Sequence, residues 1–276
     1  MPNIKKKARF GASCMIHRPP SSIFLFLFLF HFRFLFLLLF LSAAVCSSFA
    51  QTLKSGSYGV AYVADTATFN ALCRNDADKQ LLELHSLMPS IVYDLRYAGN
   101  NNFTGIRLYK EGTHTTYLRK PAAKALAKVQ HALKRKNLGL KVFDAYRPYD
   151  VTVAFWELIK DERYVANPSK GSGHNRGLAI DLTIIDLSTG KDLDMGTGFD
   201  DFSDTAHHTF TSLPTQILAN RQLLKEMMIK AGFLPFETEW WHYAWPNDKN
   251  YEVLNLSFEE VESCCKIQKT KRRNRE

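Results

Sequence analysis

The sequence lacks a disulfide framework. Five of its 276 residues are cysteine, and three of these, an odd number, lie beyond position 50. Domains that depend on disulfides carry their cysteines in pairs, so the pattern argues against that class. A chain of this length has room for one domain of about 200 residues, which buries enough apolar surface to be stable without cross-links.

The central part of the chain also lacks an excess of charge. The net charge of +9 is carried by the two ends, because residues 1–50 hold six Lys or Arg and no acid, and residues 259–276 hold six Lys or Arg and four acids. Between them, 24 basic residues are balanced by 23 acidic ones. A nearly neutral folded part gives no indication of a nucleic-acid partner. No feature of the sequence implies a protein partner.

Residues 1–50 have the pattern of a targeting segment. A basic start precedes the Phe/Leu-rich run Ile23–Leu41, and Ser48-Phe49-Ala50 resembles a signal-peptidase site. We therefore predict export to the periplasm or the medium, with cleavage after this site. The alternative is an uncleaved N-terminal anchor, which would be the only contact with a membrane. His31 and Arg33 lie near the middle of the run, where charge is costly in a bilayer.

Hydrophobic periodicity predicts both helices and strands in the rest of the chain. Apolar residues at three- and four-residue spacing predict helices, and apolar runs bounded by turn residues predict strands. The predicted helices are 69–84, 121–133, 151–164 and 217–231, the last preceded by Ser212 as an N-cap. The predicted strands are 91–97, 140–145, 177–184 and 233–245.

Two short stretches contain the residue types of a catalytic zinc site. Residues 172–181, SGHNRGLAID, hold His174 and Asp181, and the later stretch EWWH holds Glu239 and His242. Zinc binds imidazole nitrogen and carboxylate oxygen, and a catalytic site keeps one position for water. We predict that the two histidines and Asp181 are the ligands. Glu239 would be the base that takes the proton of the water.

The environment of Asp181 is the strongest physical argument for this site. Apolar residues surround it in the predicted strand, where an ionised carboxylate is expensive unless it is paired or bound to a metal. The spacing of Glu239 and His242 leaves a question open, since residues three apart in a regular strand face opposite sides. Either a bulge or bend intervenes, or Glu239 approaches from a different angle.

These motifs carry a family resemblance. The patterns Ser-x-His-x-x-Gly-x-Ala-x-Asp and Glu-x-x-His resemble the zinc D-Ala-D-Ala peptidases, which are related in fold to the Hedgehog signalling domain. Three further matches, over roughly residues 85 to 250, narrow the resemblance to the VanX-type D-alanyl-D-alanine dipeptidases. They are YDLRYA at 93–98 with NFTG at 102–105, DAYRP at 144–148, and MGTGFD at 195–200. The resemblance implies an α+β fold with helices packed on a central antiparallel sheet and one Zn2+ per chain.

Arg147 is predicted to stabilise the transition state. An arginine at the end of a buried strand needs an anionic partner, and peptide hydrolysis creates one on the carbonyl oxygen. The matching arginine of the family has this role. The alternative is a structural salt bridge with Asp144 or Asp150.

The resemblance also assigns residues to substrate binding. It places Tyr97 and Asp200 near the free amino group of the substrate, and it makes Ser172 a hydrogen-bond donor to the substrate carboxylate. Ser172 could instead be a turn-forming serine, and the strand with Tyr97 could merely pack. His207 and His208 lie near the same loop, but their family counterparts are not ligands, and we expect them to stabilise the loop.

The sequence therefore predicts an exported zinc dipeptidase that hydrolyses the small dipeptide D-alanyl-D-alanine in cell-wall turnover or nutrient recycling. One alternative is a zinc carboxypeptidase or endopeptidase that trims peptidoglycan stem peptides, although Asp200 would demand a free amino group. The other is a non-catalytic cell-wall binder, which would need neither Glu239 nor Arg147. The predicted segments are a leader (1–50), a variable segment (51–80), the catalytic domain (81–256) and a polar basic tail (257–276).

Overall fold

The computed structural model describes residues 53–273, so the predicted leader lies outside the described residues. The described part of the chain forms ten strands and six α-helices. The strands are β1 (Leu53–Ser55), β2 (Ala61–Val63), β3 (Leu81–Glu83), β4 (Val92–Tyr93), β5 (Tyr117–Arg119), β6 (Leu138–Asp144), β7 (Ala179–Asp186), β8 (Leu234–Phe236), β9 (Glu239–Ala244) and β10 (Val253–Leu254). The helices are α1 (Thr66–Asn75), α2 (Leu84–Leu87), α3 (Lys120–Lys134), α4 (Tyr149–Ile159), α5 (Thr215–Ala231) and α6 (Phe258–Arg273). None of these helices has the length and apolar character that crossing a bilayer requires.

The central sheet has five strands in the order β4-β6-β7-β9-β8. All neighbours are antiparallel except β4 and β6, which run parallel at one edge. Two small sheets, β1-β2-β10 and β3-β5, flank it. The predicted α+β fold with a central antiparallel sheet is confirmed, with the parallel edge strand as the one departure.

The larger core lies between the central sheet and helices α3 and α5. On α3, Ala122, Leu126, Val129 and Leu133 are buried, as the helical spacing predicts, while the lysines of the opposite face meet solvent. The sheet contributes a set of buried β6 and β7 side chains, among them Leu140, Val142, Leu182 and Ile184. This packing fixes the positions of the two strands that carry the site.

The segment predicted as a polar tail is instead a helix with a buried stripe. Phe258, Val261 and Cys264 of α6 pack into a second core with the aromatic rings of Tyr109 and Tyr146. The stripe has only one apolar residue every three or four positions and is flanked by charges. The segment is therefore polar in composition although one face of the helix is buried, and composition alone did not predict the helix.

Substitution of Val261 by aspartate tests this packing. Val261 is fully buried, so the change removes an apolar side chain from the core and places a carboxylate there without a partner. We expect a loss of about 3 kcal/mol or more in the free energy of unfolding. Urea denaturation measures it. Ser263→Asp introduces the same group on the exposed face of α6 and should change stability little; equal losses in the two variants would contradict the burial of this stripe.

Three predicted helices differ at their ends. The predicted helix 69–84 ends at Asn75, and strand β3 follows a short turn. Helix α4 stops before Lys160, which adopts a left-handed conformation with φ of 49°. Ser212 does not cap α5, because the helix begins at Thr215 with Pro214 at the N-cap and no side-chain acceptor there.

Candidate metal centre and active site

A β-bulge in the pairing of β6 with β7 directs the side chain of Asp144 toward the predicted ligands. Phe143 is an extra residue of β6, so that Asp144 is paired with Asp181 across the two strands. On its other side, Asp181 is paired with His242 of β9. Residues directly opposite each other on neighbouring strands share a face of the sheet. Asp144, Asp181 and His242 therefore converge from three adjacent strands.

A second irregularity, in the pairing of β8 with β9, explains how Glu239 and His242 can face the same site although they are three residues apart. Pro235 is paired with Tyr243, but the next residue, Phe236, is paired with Glu239. The resulting bulge in β9 lets Glu239 and His242 face the same point. Glu239 Oε2 lies 3.6 Å from His242 Nδ1.

The three predicted ligands form a compact cluster. His174 Nε2 lies 3.4 Å from Asp181 Oδ2 and 3.4 Å from His242 Nδ1, and His242 Nδ1 lies 2.9 Å from Asp181 Oδ1. One donor atom from each residue falls within 4.8 Å of the others, the only such metal-ligating group found among residues 53–273. His174 Nδ1 is 2.7 Å from the carbonyl oxygen of Ala145 and donates to it, which leaves Nε2 with a free lone pair.

The donor set of this cluster fits zinc. Two imidazole nitrogens and one carboxylate oxygen are the ligands of a catalytic zinc site with an open fourth position. The carboxylate is ionised: burial opposes the charge of Asp181, but the imidazoles of His174 and His242 hold its pKa below the usual range. A cation between these groups would compensate both the buried carboxylate and the two facing ring nitrogens.

Glu239 is a buried carboxylate beside the cluster. Burial, with the charge of Asp181 adding to it and His242 opposing it, raises the pKa of Glu239 to about 7. A group that titrates near neutral pH can both accept and return a proton. Its position next to the ligands, with no atom of its own in the ligand group, suits a base rather than a ligand.

Arg147 forms the salt bridge that the sequence offered as an alternative. Its Nε and Nη2 donate to Asp144 Oδ2 at 2.9 and 2.7 Å, while Asp150 is not its partner. Asp144 also accepts from Tyr109 Oη at 2.6 Å. This buried pair orients the guanidinium, and Nη2 still lies 4.0 Å from Asp181 Oδ2 at the cluster. The salt bridge and a role at the reaction centre are therefore compatible.

Asp144 is the residue of the site that the sequence analysis missed as a functional group. It contacts both Arg147 and the predicted ligand His174, whose Nδ1 lies 3.5 Å from Asp144 Oδ2. The available indication was an acidic residue three positions before Arg147 at the end of a buried strand. That pattern suggested a structural ion pair and could not show the second contact.

All eight predicted site residues line one cavity of 310 Å³. They are Tyr97, Arg147, Ser172, His174, Asp181, Asp200, Glu239 and His242. His207 and His208 do not line it and do not belong to the ligand cluster. Phe103, Phe155 and Phe202 form an aromatic wall of the cavity that no motif of the sequence indicated.

Asp200 and Tyr97 line the cavity and are hydrogen-bonded to each other. Tyr97 Oη lies 3.1 and 3.2 Å from the two carboxylate oxygens of Asp200 and donates to them. Burial, with Asp181 nearby, raises the pKa of Asp200 well above its ordinary value. A carboxylate in this setting gains from a bound cation such as an ammonium group.

Ser172 is held by a reciprocal pair of hydrogen bonds. Its backbone N–H donates to Asn175 Oδ1 at 3.0 Å, and the N–H of Asn175 donates to Ser172 Oγ at 3.1 Å. The turn-forming role is thus present. Because Oγ acts there as an acceptor, its own hydrogen remains able to donate into the cavity.

The ligand cluster, its neighbouring carboxylate and the cavity place the chain among the metallopeptidases. Residues 77–263 match the sequence model of Peptidase_M15, described as D-ala-D-ala dipeptidase. The chain belongs to this family. It is 37% identical over 179 residues to the D-alanyl-D-alanine dipeptidase of Escherichia coli (strain K12), covering 65% of this chain and 91% of the relative. It is 30% identical over 180 residues to that of Enterococcus faecalis (strain ATCC 700802 / V583), covering 59% and 89%.

One solved structure, of the LdcB LD-carboxypeptidase, also matches. It is 23% identical, with a TM-score of 0.36, and the match covers 67% of this chain and 77% of that chain. The score is too low to support an argument about fold or function.

Proposed function

We propose that this protein is a zinc dipeptidase that hydrolyses D-alanyl-D-alanine to two D-alanines. One observation carries the proposal: a single cavity is lined by the His-Asp-His group, by the Glu239 carboxylate beside it and by the Asp200 carboxylate. The names of the two bacterial relatives support the choice of substrate.

The metal would be held by His174, Asp181 and His242. Zinc bound there would lower the pKa of a water molecule and polarise the peptide carbonyl. Glu239 accepts the proton of the attacking water at Oε2 and returns it to the leaving amine. Arg147, fixed by Asp144, places positive charge beside the carbonyl oxygen as that oxygen becomes negative.

Substrate selection follows from the two charged ends of a free dipeptide. Asp200, hydrogen-bonded to Tyr97, pairs with the ammonium group, and Ser172 donates to the carboxylate. A peptide without a free amino group offers no cation to pair with the ionised form of Asp200 and leaves this buried group without its charge-assisted contact. The enzyme should therefore reject blocked and longer peptides.

A substrate panel tests this function. Amine release by the purified, zinc-loaded protein is measured with D-Ala-D-Ala, N-acetyl-D-Ala-D-Ala and a peptidoglycan stem pentapeptide. We expect cleavage of the free dipeptide alone, and no cleavage after chelation until zinc is restored. Cleavage of the blocked peptide or the pentapeptide would move the protein to the carboxypeptidase class. Zinc binding without any cleavage would favour a binder.

Asp200→Asn tests the ammonium site separately. Asparagine keeps the size, tolerates the positive φ of 60° at this position and still accepts from Tyr97, but it loses the charge. Loss of a charge-assisted contact should lower kcat/KM for D-Ala-D-Ala by roughly 10- to 100-fold. Asp201→Asn, one residue along and outside the cavity, should keep the wild-type value. An unchanged kcat/KM in Asp200→Asn would refute the assignment.

We also propose that residues 1–50 direct export and are removed. The basic start, the apolar run and the small residues before Gln51 support this. N-terminal sequencing of the protein recovered outside the cytoplasm should begin at or near Gln51. An intact N-terminus in the membrane fraction would show an anchor instead. An exported enzyme would meet dipeptide from cell-wall turnover or the medium, which favours a recycling or nutrient role.

A further inference from the structure

A second groove, of 470 Å³, lies between helix α5 and the loop that precedes it. Its polar lining includes His208, Thr211, Thr215, Arg221 and Lys225, and none of these lines the metal cavity. The ring of His208 packs against Tyr243, with 6.0 Å between centroids. Tyr243 follows the ligand His242 on β9, and successive strand residues point to opposite faces. The groove is therefore on the other face of β9 from the metal ligands.

Arg221 is a buried cation that forms no salt bridge in the described part of the chain. Only 5% of it is exposed, and its Nε donates to the carbonyl oxygen of Met195 at 2.6 Å. Its Nη1 donates to the carbonyl oxygens of Thr205 and His207 at 2.8 and 3.3 Å. Nη2 is buried and has no hydrogen-bond partner, and no carboxylate of residues 53–273 forms a salt bridge with it. Its hydrogen-bond acceptors are neutral carbonyls, and the carboxylates of Asp201 and Asp194 act on its charge only from beyond salt-bridge distance. The buried guanidinium is therefore incompletely compensated, which is costly.

Two other polar side chains of the groove, His208 and Lys225, lack a hydrogen-bond or salt-bridge partner in the described part of the chain. Nε2 of His208 is also buried without a partner. Burial lowers the pKa of His208 to about 4, and the nearby charges of Lys225 and Arg221 add to this effect. The groove has no acidic residue in its lining, and the first turn of α5 carries none either. Lys225 makes no salt bridge with the described part of the chain.

We propose that this groove binds a compact oxyanion, a carboxylate or a phosphate, between Arg221 and Lys225. The anion would accept from Arg221 Nη2 and compensate its charge, and the neutral imidazole of His208 can donate a further hydrogen bond. A water molecule in the same place would satisfy the hydrogen bonds but not the charge. The chemistry is shared by free carboxylates and by phosphate groups, and the two are distinguished by experiment.

The binding test uses the zinc-loaded full chain. Thermal melting and calorimetric titration are carried out with inorganic phosphate and with acetate, against chloride at matched ionic strength. A ligand that binds only the folded state raises Tm with concentration, and we expect this for at least one of the two oxyanions. The anion with the lower Kd identifies the preferred class. Stabilisation no greater than that given by chloride would overturn the proposal.

Variants locate the bound ion. Lys225→Gln, at a partly exposed position, should weaken the affinity for the oxyanion by roughly fivefold to tenfold, the loss expected for one charge-assisted contact. Arg221→Lys should weaken it further, and Lys225→Gln keeps the test valid if that variant folds poorly. Lys230→Gln, on the exposed face of the same helix, is the control and should bind as the wild type does. Equal affinity in Lys225→Gln and the wild type would place the ion elsewhere, including at the zinc, and would refute the site.

Discussion

Replacement of Glu239 by glutamine should reduce turnover of D-alanyl-D-alanine by about 10⁴-fold while the zinc remains bound. Removal of a positioned general base or acid costs about 10² to 10⁴ in rate, and Glu239 is expected to serve as both within one turnover. Glutamine keeps the shape of the side chain, and none of the three ligand residues is changed. The measurements are kcat from amine release and zinc content by elemental analysis of the same sample.

The control for this variant is Glu237→Gln. Glu237 lies two residues away and is exposed, so its charge change leaves the cavity intact. Its kcat should match the wild-type value. A Glu239→Gln protein with full zinc content that turned over within tenfold of the wild type would show that another group moves the proton. Loss of zinc together with activity would instead make Glu239 part of the metal centre.

Arg147→Lys should lower kcat by about 10² to 10³-fold with little change in KM. This is the cost of removing one group that stabilises the developing oxyanion, an interaction that matters in the transition state more than in the bound substrate. Lysine keeps a positive charge to pair with the fully buried Asp144, which limits the loss of stability. It cannot form the two hydrogen bonds by which Asp144 orients the guanidinium, so the charge is no longer directed at the carbonyl oxygen.

Two companion variants define the role of Arg147. Arg163→Lys changes an exposed arginine that is paired with Asp161, and it should leave kcat unchanged. Asp144→Asn keeps the guanidinium but weakens its orientation, so kcat should fall by less than in Arg147→Lys. A rise in KM at constant kcat in Arg147→Lys would show that the residue binds the ground state, contrary to the proposed role.

Two members of the candidate ligand cluster, His174 and Asp181, could be selected from the sequence because each has a local reason there. Asp181 is an acid within an apolar run, and His174 precedes it in a glycine-rich turn, so neither fits an ordinary strand. The central helix α3 was predictable for a similar reason, since its apolar positions repeat with helical spacing. Such features do not depend on what packs against them.

The remaining parts of the site depend on pairing between distant segments. The bulge at Phe143 that directs Asp144 to the ligands exists only relative to β7, and the bulge that turns Glu239 toward His242 exists only relative to its neighbouring strands. The sequence of one strand does not determine its register with the neighbouring strands. Helix α6 was not predicted for a related reason. Its apolar stripe is narrow, and only the core that packs against it shows that this face is buried.

Strand β8 bears on how the molecule behaves at high concentration. It is the outer strand of the central sheet, and its apolar side chains Leu234 and Phe236 are 58% and 42% exposed. An open, apolar edge of this kind invites pairing with the edge of another chain. Pro235 stands between the two and has no N–H to donate, and the strand is only three residues long. This edge is a poor template for aggregation, so Phe236, which also lines the cavity, is not covered by the edge of another chain.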